Sequence, residues 1–309
     1  MINEQNNILL LKIKDYINTN YIAKGELTFK QTNGGYIVNC YGDVIVKNRN
    51  IEKLTDGFEW GEVKGDFDCS NCENLKSLKG APKEVRWRFS CDNCPNLVSL
   101  EGSPNKVGEH FWCYKCDKLI SLKGAPEEIG KNFDCGECLN LKSLEGAPKK
   151  VNEDFWCFDC PNLVSLEGAP REVGGHFLCY ECSGIKDLKG APKEIGKNFD
   201  CSECPNLKSL EGFPNKVGGS FWCNNCDKLI SLKGMPEKIN MSFYCYSCSN
   251  LKSLKGAPRE VGGNIDCSYC DNLISLKGAP DKVGGVLNCK YCKNLQITDQ
   301  DRKKYRIEN

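Results

Sequence analysis

Eleven times between residues 67 and 295 the chain sets two cysteines three positions apart, and each pair begins 22 residues after the one before it. The pairs are Cys69 and Cys72, Cys91 and Cys94, Cys113 and Cys116, Cys135 and Cys138, Cys157 and Cys160, Cys179 and Cys182, Cys201 and Cys204, Cys223 and Cys226, Cys245 and Cys248, Cys267 and Cys270, and Cys289 and Cys292. A strict period of this length marks a stacked repeat architecture, in which each unit buries its apolar edge only against its neighbours. An insertion anywhere would break the stacking register, and there is none. Ordinary globular arrangements are excluded.

Within one repeat, "VGGHFLCYECSGIKDLKGAP" (173–192), Phe177 and Cys179 alternate as they would on a short strand, so both point to one face, and that face is inward. Ile185 and Leu188 follow three apart, then Gly190 and Pro192 turn the chain and forbid a helix. No stretch inside the repeats keeps helical periodicity over two turns. The fold class expected is therefore an all-β or β-plus-irregular repeat solenoid of eleven 22-residue rungs, with any helix at its ends. Several segments recur at 66 residues: "CPNLVSLEG" at 94 and 160, "KNFDC" at 131 and 197, and His110 with His176. Blocks of three rungs have been copied.

Residues 1–66 read as an N-terminal cap. Ile8, Leu9, Ile13, Tyr16 and Ile17 give residues 1–22 one amphipathic helix, and "ELTF", "YIVNC" and "DVIV", with the turn signal "NGG", give a hairpin over 26–46. Residues 43–54 look like a degenerate rung in which Val44, Val46, Ile51 and Leu54 take inward places without a cysteine. Cys40 is expected as a buried cap residue. Residues 67–295 form the array, and the polar tail 296–309 closes it.

Set against the pattern LxxLxLxxN/CxL, each rung matches in its second half, with Phe67, Cys69 and Cys72 at the apolar and Asn/Cys positions and Leu75 three residues later. The array thus resembles leucine-rich-repeat proteins. Its wording, "FxCxxxxxLxSLxGAPxxVGG", is similar to short 21–22-residue repeats encoded by bacteriophages and other large DNA viruses, and more distantly to a bacterial surface class of leucine-rich repeats. The resemblance implies a leucine-rich-repeat fold and an activity of binding rather than chemistry. Where such rungs carry asparagine at the turn this chain carries cysteine in all eleven, which puts the family's asparagine ladder in question.

The 42 basic and 41 acidic side chains nearly cancel, so no whole-molecule field draws in nucleic acid or an anionic membrane. The N-terminal apolar run "ILLL" lacks the flanks of a signal peptide. The chain is expected in a reducing cytoplasm, a host's if it is viral, where thiols or metal ligands are favoured over disulfides. Three uses of the cysteines follow. Cys69 and its equivalents can be core residues while Cys72 and its equivalents form a ladder of thiols at the turn. Alternatively, pairs from adjacent rungs, about 4.8 Å apart, can hold zinc or iron–sulfur clusters. Cross-rung disulfides meet the required separation, but the compartment opposes them.

The residue between Phe and the first cysteine points outward, and that column holds Trp112, Asp134, Trp156, Leu178, Asp200, Trp222 and Tyr244. The next outward position adds Tyr114, Phe158, Tyr180 and Tyr246. Such a band is expected to bind a protein partner, with carbohydrate the lesser alternative; the same aromatics can also serve to stabilise the sheet. His110 and His176 lie three rungs apart and cannot share a site. No phosphate loop, dinucleotide fingerprint or nucleophile elbow is present, so no enzyme is expected, and no cofactor outside the metal reading.

Overall fold

The computed structural model describes residues 2–309; residue 1, the first of the expected cap, lies outside them. The chain forms two compact units, one running through Leu141 and adding Glu145–Val151, the other comprising Lys142–Leu144 and Asn152–Asn309. Each is a stretch of β-solenoid built from parallel strands, five turns in the first unit and seven in the second.

In the first unit, helix α1 (Ile2–Asn20) leads into β1 (Tyr21–Ala23). Ile13 and Ile17 are buried, but Ile8, expected on the packed face, is exposed. Strands β2 (Leu27–Thr32) and β3 (Gly35–Cys40) make the antiparallel hairpin expected from "NGG". Strand β4 (Val44–Val46) pairs antiparallel with β1 and parallel with the strand Phe67–Asp68, in the register Val44 to Phe67. Val44, Val46, Ile51 and Leu54 are all buried, so residues 43–54 do stack as a rung. A strand not anticipated, β5 (Phe58–Val63), pairs parallel with β3. Its Trp60 ring and that of Tyr21 lie 6.2 and 6.4 Å from Phe67, closing the aromatic core there.

Each turn of the solenoid repeats one plan. A two-residue strand such as Phe89–Ser90 pairs with its equivalents in the rungs on either side. A turn residue with positive φ follows two positions after the first cysteine, for example Asn93 at 52°. Two leucines then enter the core, a glycine reverses the chain, and a second two-residue strand such as Lys106–Val107 forms its own parallel ladder. That second strand was not anticipated, since only its valine points inward and one apolar residue makes no alternation. Leu97, Leu100, Leu207 and Leu210 are fully buried; each such side chain contributes about 1.5–3 kcal/mol by leaving water.

The inward phenylalanines stack at 5.3–5.5 Å from Phe67 to Phe133 in the first unit. In the second unit the order is interrupted. Phe213 replaces the alanine of "GAP", and its ring packs edge-on against Phe221 at 4.8 Å; Phe177 and Phe199 meet at 64° rather than in parallel. Beyond Leu295 the tail supplies structure as well as polarity. Helix α2 (Asp299–Lys304) starts on a Thr298–Asp301 capping box, and Ile307–Glu308 adds a parallel strand to Leu287–Asn288. The Tyr305 hydroxyl donates to the Pro280 carbonyl at 2.7 Å. No helix among the described residues is long and apolar enough to cross a membrane.

The turn glycines are held tightly. At Gly102, φ is 90° and an added Cβ would stand 2.5 Å from Lys79 backbone atoms. Gly102→Ala is therefore expected to destabilise the protein by about 2 kcal/mol or more, read as a lowered urea midpoint; an unchanged midpoint would show that the rung can relax around it.

Candidate functional site

The strand that carries each first cysteine ends just before it, and its ladder continues one step. The Cys69 N–H donates to the Ser90 carbonyl at 2.8 Å. The Cys69 thiol donates to the same oxygen at 3.3 Å, and Cys91, Cys113, Cys201 and Cys267 repeat this contact at 3.3–3.5 Å. The second cysteine works in the opposite direction. Cys94 donates to the Cys69 carbonyl of the preceding rung at 3.3 Å, and the same bond recurs from Cys116 to Cys91, Cys138 to Cys113, Cys182 to Cys157, Cys204 to Cys179, Cys226 to Cys201, Cys248 to Cys223, Cys270 to Cys245 and Cys292 to Cys267. One column of thiols thus reaches forward along the stack and the other reaches back.

All 23 cysteines are free thiols, and all but the half-buried Cys292 are buried, Cys135, Cys160, Cys223, Cys245 and Cys289 among them. Burial pushes the thiols of Cys69, Cys113, Cys179, Cys201 and Cys267 well above their ordinary range, Cys204 up to about 12 and Cys289 up to about 11. Cys72 differs: the Cys94 thiol beside it and the Arg49 guanidinium hold it below that range. A proton on each sulfur is what the ladder needs, since only S–H can donate, whereas a metal needs the thiolate. Among the described residues no group of three or more histidine, cysteine or carboxylate side chains is placed to hold a metal ion.

An asparagine ladder is present as well, two positions past the second cysteine. Asn96, Asn140, Asn206 and Asn250 each donate to a carbonyl of the preceding rung at 2.7–2.8 Å. A further polar column precedes the inward phenylalanine, or Ile265 in its place, where the Asp66, Asp154, Asn198 and Asn264 side chains accept a backbone N–H of the next rung at 2.7–2.9 Å. The cysteines therefore add to the asparagines rather than replace them.

On the outer side of the strands, the eleven residues singled out from the sequence are all half-buried. Trp112, Tyr114 and Asp134 belong to the first unit and the other eight to the second. In the second unit Trp156, Leu178, Asp200, Trp222 and Tyr244 occupy consecutive strands in register. Trp222 stacks on Tyr244 with ring centroids 5.3 Å apart, and Phe158 on Tyr180 at 5.0 Å. Asp200 accepts the Ser202 N–H at 2.9 Å, with its carboxyl raised chiefly by burial and further by Glu203.

The first unit arranges the same positions with its own cations. Arg88 lies 4.8 Å over the Trp112 ring and pairs with Asp66 at 3.1 Å. Lys115 lies 5.0 Å over the Tyr114 ring and pairs with Glu137 at 3.1 Å. Asp134, in register with Trp112, is pushed up to about 7, mainly by burial and then by Asp92 and Glu137. His110 lies 5.8 Å from Trp112, while His176 belongs to the second unit.

The sequence reading missed the positive-φ column beside these aromatics. It holds Lys115 and Glu137 in the first unit and Asp159, Glu181 and Glu203 in the second. Four acids at one repeat position in successive rungs, Glu137, Asp159, Glu181 and Glu203, were the available signal. It also missed exposed apolar side chains, with Trp87, Val98 and Ile120 in the first unit and Val164, Ile230 and the stacked Tyr269 and Tyr291 in the second.

Cys204→Ala leaves the Cys179 carbonyl without its thiol and is expected to cost about 1–3 kcal/mol, measured by urea denaturation; no loss would remove the ladder's energetic role. Asp134 supplies a pH signature. Unfolded, an aspartate titrates near about 3.9; folded, Asp134 titrates about 7. The folded state therefore binds the extra proton, and this contribution is present below the unfolded value and lost as pH rises through the folded one. Stability from this group should fall between those limits, and Asp134→Asn should flatten the fall and raise stability above it, read by denaturation at several pH values. An equal slope in both proteins would contradict this.

Compared with models of known families, with curated proteins and with solved structures, the chain matches none.

Proposed function

We propose that this chain is a non-enzymatic binding scaffold that engages a protein through the outward strand face of its second unit, Trp156, Phe158, Leu178, Tyr180, Asp200, Trp222, Tyr244 and Tyr246, with Trp112, Tyr114 and Asp134 serving the corresponding face of the first. The observation that carries this reading is the set of paired, half-exposed aromatic rings on consecutive strands. Large aromatic side chains supply most of the energy in interfaces. Here they stand on a backbone already fixed by rung-to-rung bonds, so little ordering entropy is lost when a partner arrives. The likeness of the rungs to leucine-rich repeats supports binding over chemistry, and the protonated, carbonyl-bound thiols support a structural role for the cysteines.

Replacing Trp112, Trp156 and Trp222 together by serine should preserve the fold, because these rings lie outside the core, and should abolish capture of the partner in a pull-down. Circular dichroism checks the first outcome. Capture equal to that of the unaltered protein would overturn the interface.

A further inference from the structure

Strand β2 (Leu27–Thr32) lies at the end of its sheet in the first unit: β3 pairs with it on one side, and among the described residues no strand pairs with it on the other. The register fixes where each backbone group points. The Tyr41 N–H donates to the Glu26 carbonyl at 2.9 Å, which makes Glu26 and Tyr41 a hydrogen-bonded pair. Bonded and non-bonded pairs alternate along an antiparallel ladder, so Thr28, Lys30 and Thr32 turn their N–H and C=O groups toward β3, while Leu27, Phe29 and Gln31 turn theirs toward the open edge. Side chains alternate as well. Leu27 and Phe29 stand opposite the buried Cys40 and Val38 on the core face, where Lys14 of α1 lies 5.3 Å over the Phe29 ring, yet both remain half-exposed. Glu26 and Lys30 share the other face and are exposed. Lys24 pairs with Asp43 at 4.0 Å, whereas Glu26 and Lys30 have no ion-pair partner among the described residues.

An open strand edge is a template for another strand, and a lysine on it normally discourages pairing. Whether Lys30 does so here depends on what it meets. Two copies of β2 can pair antiparallel with their outward backbone groups matched only in registers centred on a residue of the strand itself. Centred on Leu27, Lys30 would oppose Lys24 of the second copy; centred on Lys30, it would oppose itself; centred on Phe29, it would oppose Thr28, with Glu26 against Thr32. Centred on Thr28, Lys30 opposes Glu26 and Glu26 opposes Lys30. In that register the charged residues fall in the non-bonded pairs, where facing side chains stand closest. Leu27 of one copy and Phe29 of the other then exchange N–H···O=C bonds in both directions, the two-fold repeats the exchange, and their apolar side chains meet on the core face. One register out of the set satisfies backbone, apolar and charged groups together.

We propose that β2 is a self-association edge, through which two copies of this chain join antiparallel about Thr28 into one continuous sheet, held in register by Glu26 of each copy against Lys30 of the other. The occupant of the edge is a second copy because the strand is complementary in charge to itself. The contact is isologous and closes on two copies, so it makes dimers and not fibres. It is a narrow interface of the kind that forms reversibly, and it is independent of the aromatic strand face.

Sedimentation of the full chain over a range of concentrations tests this. The protein should be a monomer when dilute and approach twice the monomer mass at about 100 µM, with the Leu27 and Phe29 amides exchanging hydrogen more slowly in the concentrated sample. Glu26→Lys alone, or Lys30→Glu alone, sets like charges against each other and should weaken dimerisation by about tenfold or more. The two single variants mixed together should dimerise again, as should the double variant Glu26→Lys with Lys30→Glu; recovery in either case separates lost pairing from lost folding, which circular dichroism checks directly. A monomer mass at every concentration, single reversals that dimerise like the unaltered protein, or a mixture that associates no better than its components would overturn the proposal. A dimer that survives both reversals but is lost when Trp112, Trp156 and Trp222 are replaced by serine would belong to the aromatic face, and would overturn it too.

Discussion

One bond organises each unit, the hydrogen bond from a first-cysteine N–H to a carbonyl of the following rung, 2.8 Å long between Cys69 and Ser90. A two-residue strand offers too few such bonds to be stable alone, so a rung holds its shape only between two others. Everything else accommodates that pairing. The phenylalanines stack because their Cα atoms are held one strand spacing apart. The turn is forced into positive φ so that the chain can leave the strand within three residues, and the cysteine carbonyl left at that turn is met by a sulfur from the following rung. A side chain small enough to be buried and still able to donate a proton fits there, and cysteine is both.

How much of this could be read in advance varied with how far the deciding contacts lay in sequence. Phe67, Cys69, Leu75 and Leu78 were legible as core because a repeat has only one inward direction and every copy votes for it. The degenerate rung was legible through Val44, Val46, Ile51 and Leu54 for the same reason. The strand Glu84–Val85 was hidden, since a single inward valine carries no period. The acceptor for each thiol was hidden too, because it depends on the angle between neighbouring rungs rather than on spacing along the chain. Ile8 read as core from helical spacing, yet it is exposed, although the Asn6 carbonyl on the same half of the helix accepts from the Tyr36 hydroxyl. The strand Ile307–Glu308 has no counterpart in the repeats, so the polar tail gave no sign that it would pair.

The candidate face was legible as aromatic but not as charged. Its tryptophans and tyrosines announce themselves by alternation, whereas Asp159, Glu181 and Glu203 sit at a turn position, where acidic residues draw no notice. Aromatic packing alone would explain the stacked pairs as reinforcement of an open sheet.

The sulfur columns also bear on how the molecule ages. A thiol is attacked as the thiolate and only when reached, and here the Cys204 thiol is buried, donates to a carbonyl of the turn behind it and is kept protonated by that burial. A chain with 23 cysteines would ordinarily be a broad target for oxidative damage; here all but the half-buried Cys292 are buried, so attack on the others waits on local opening of the backbone that covers them.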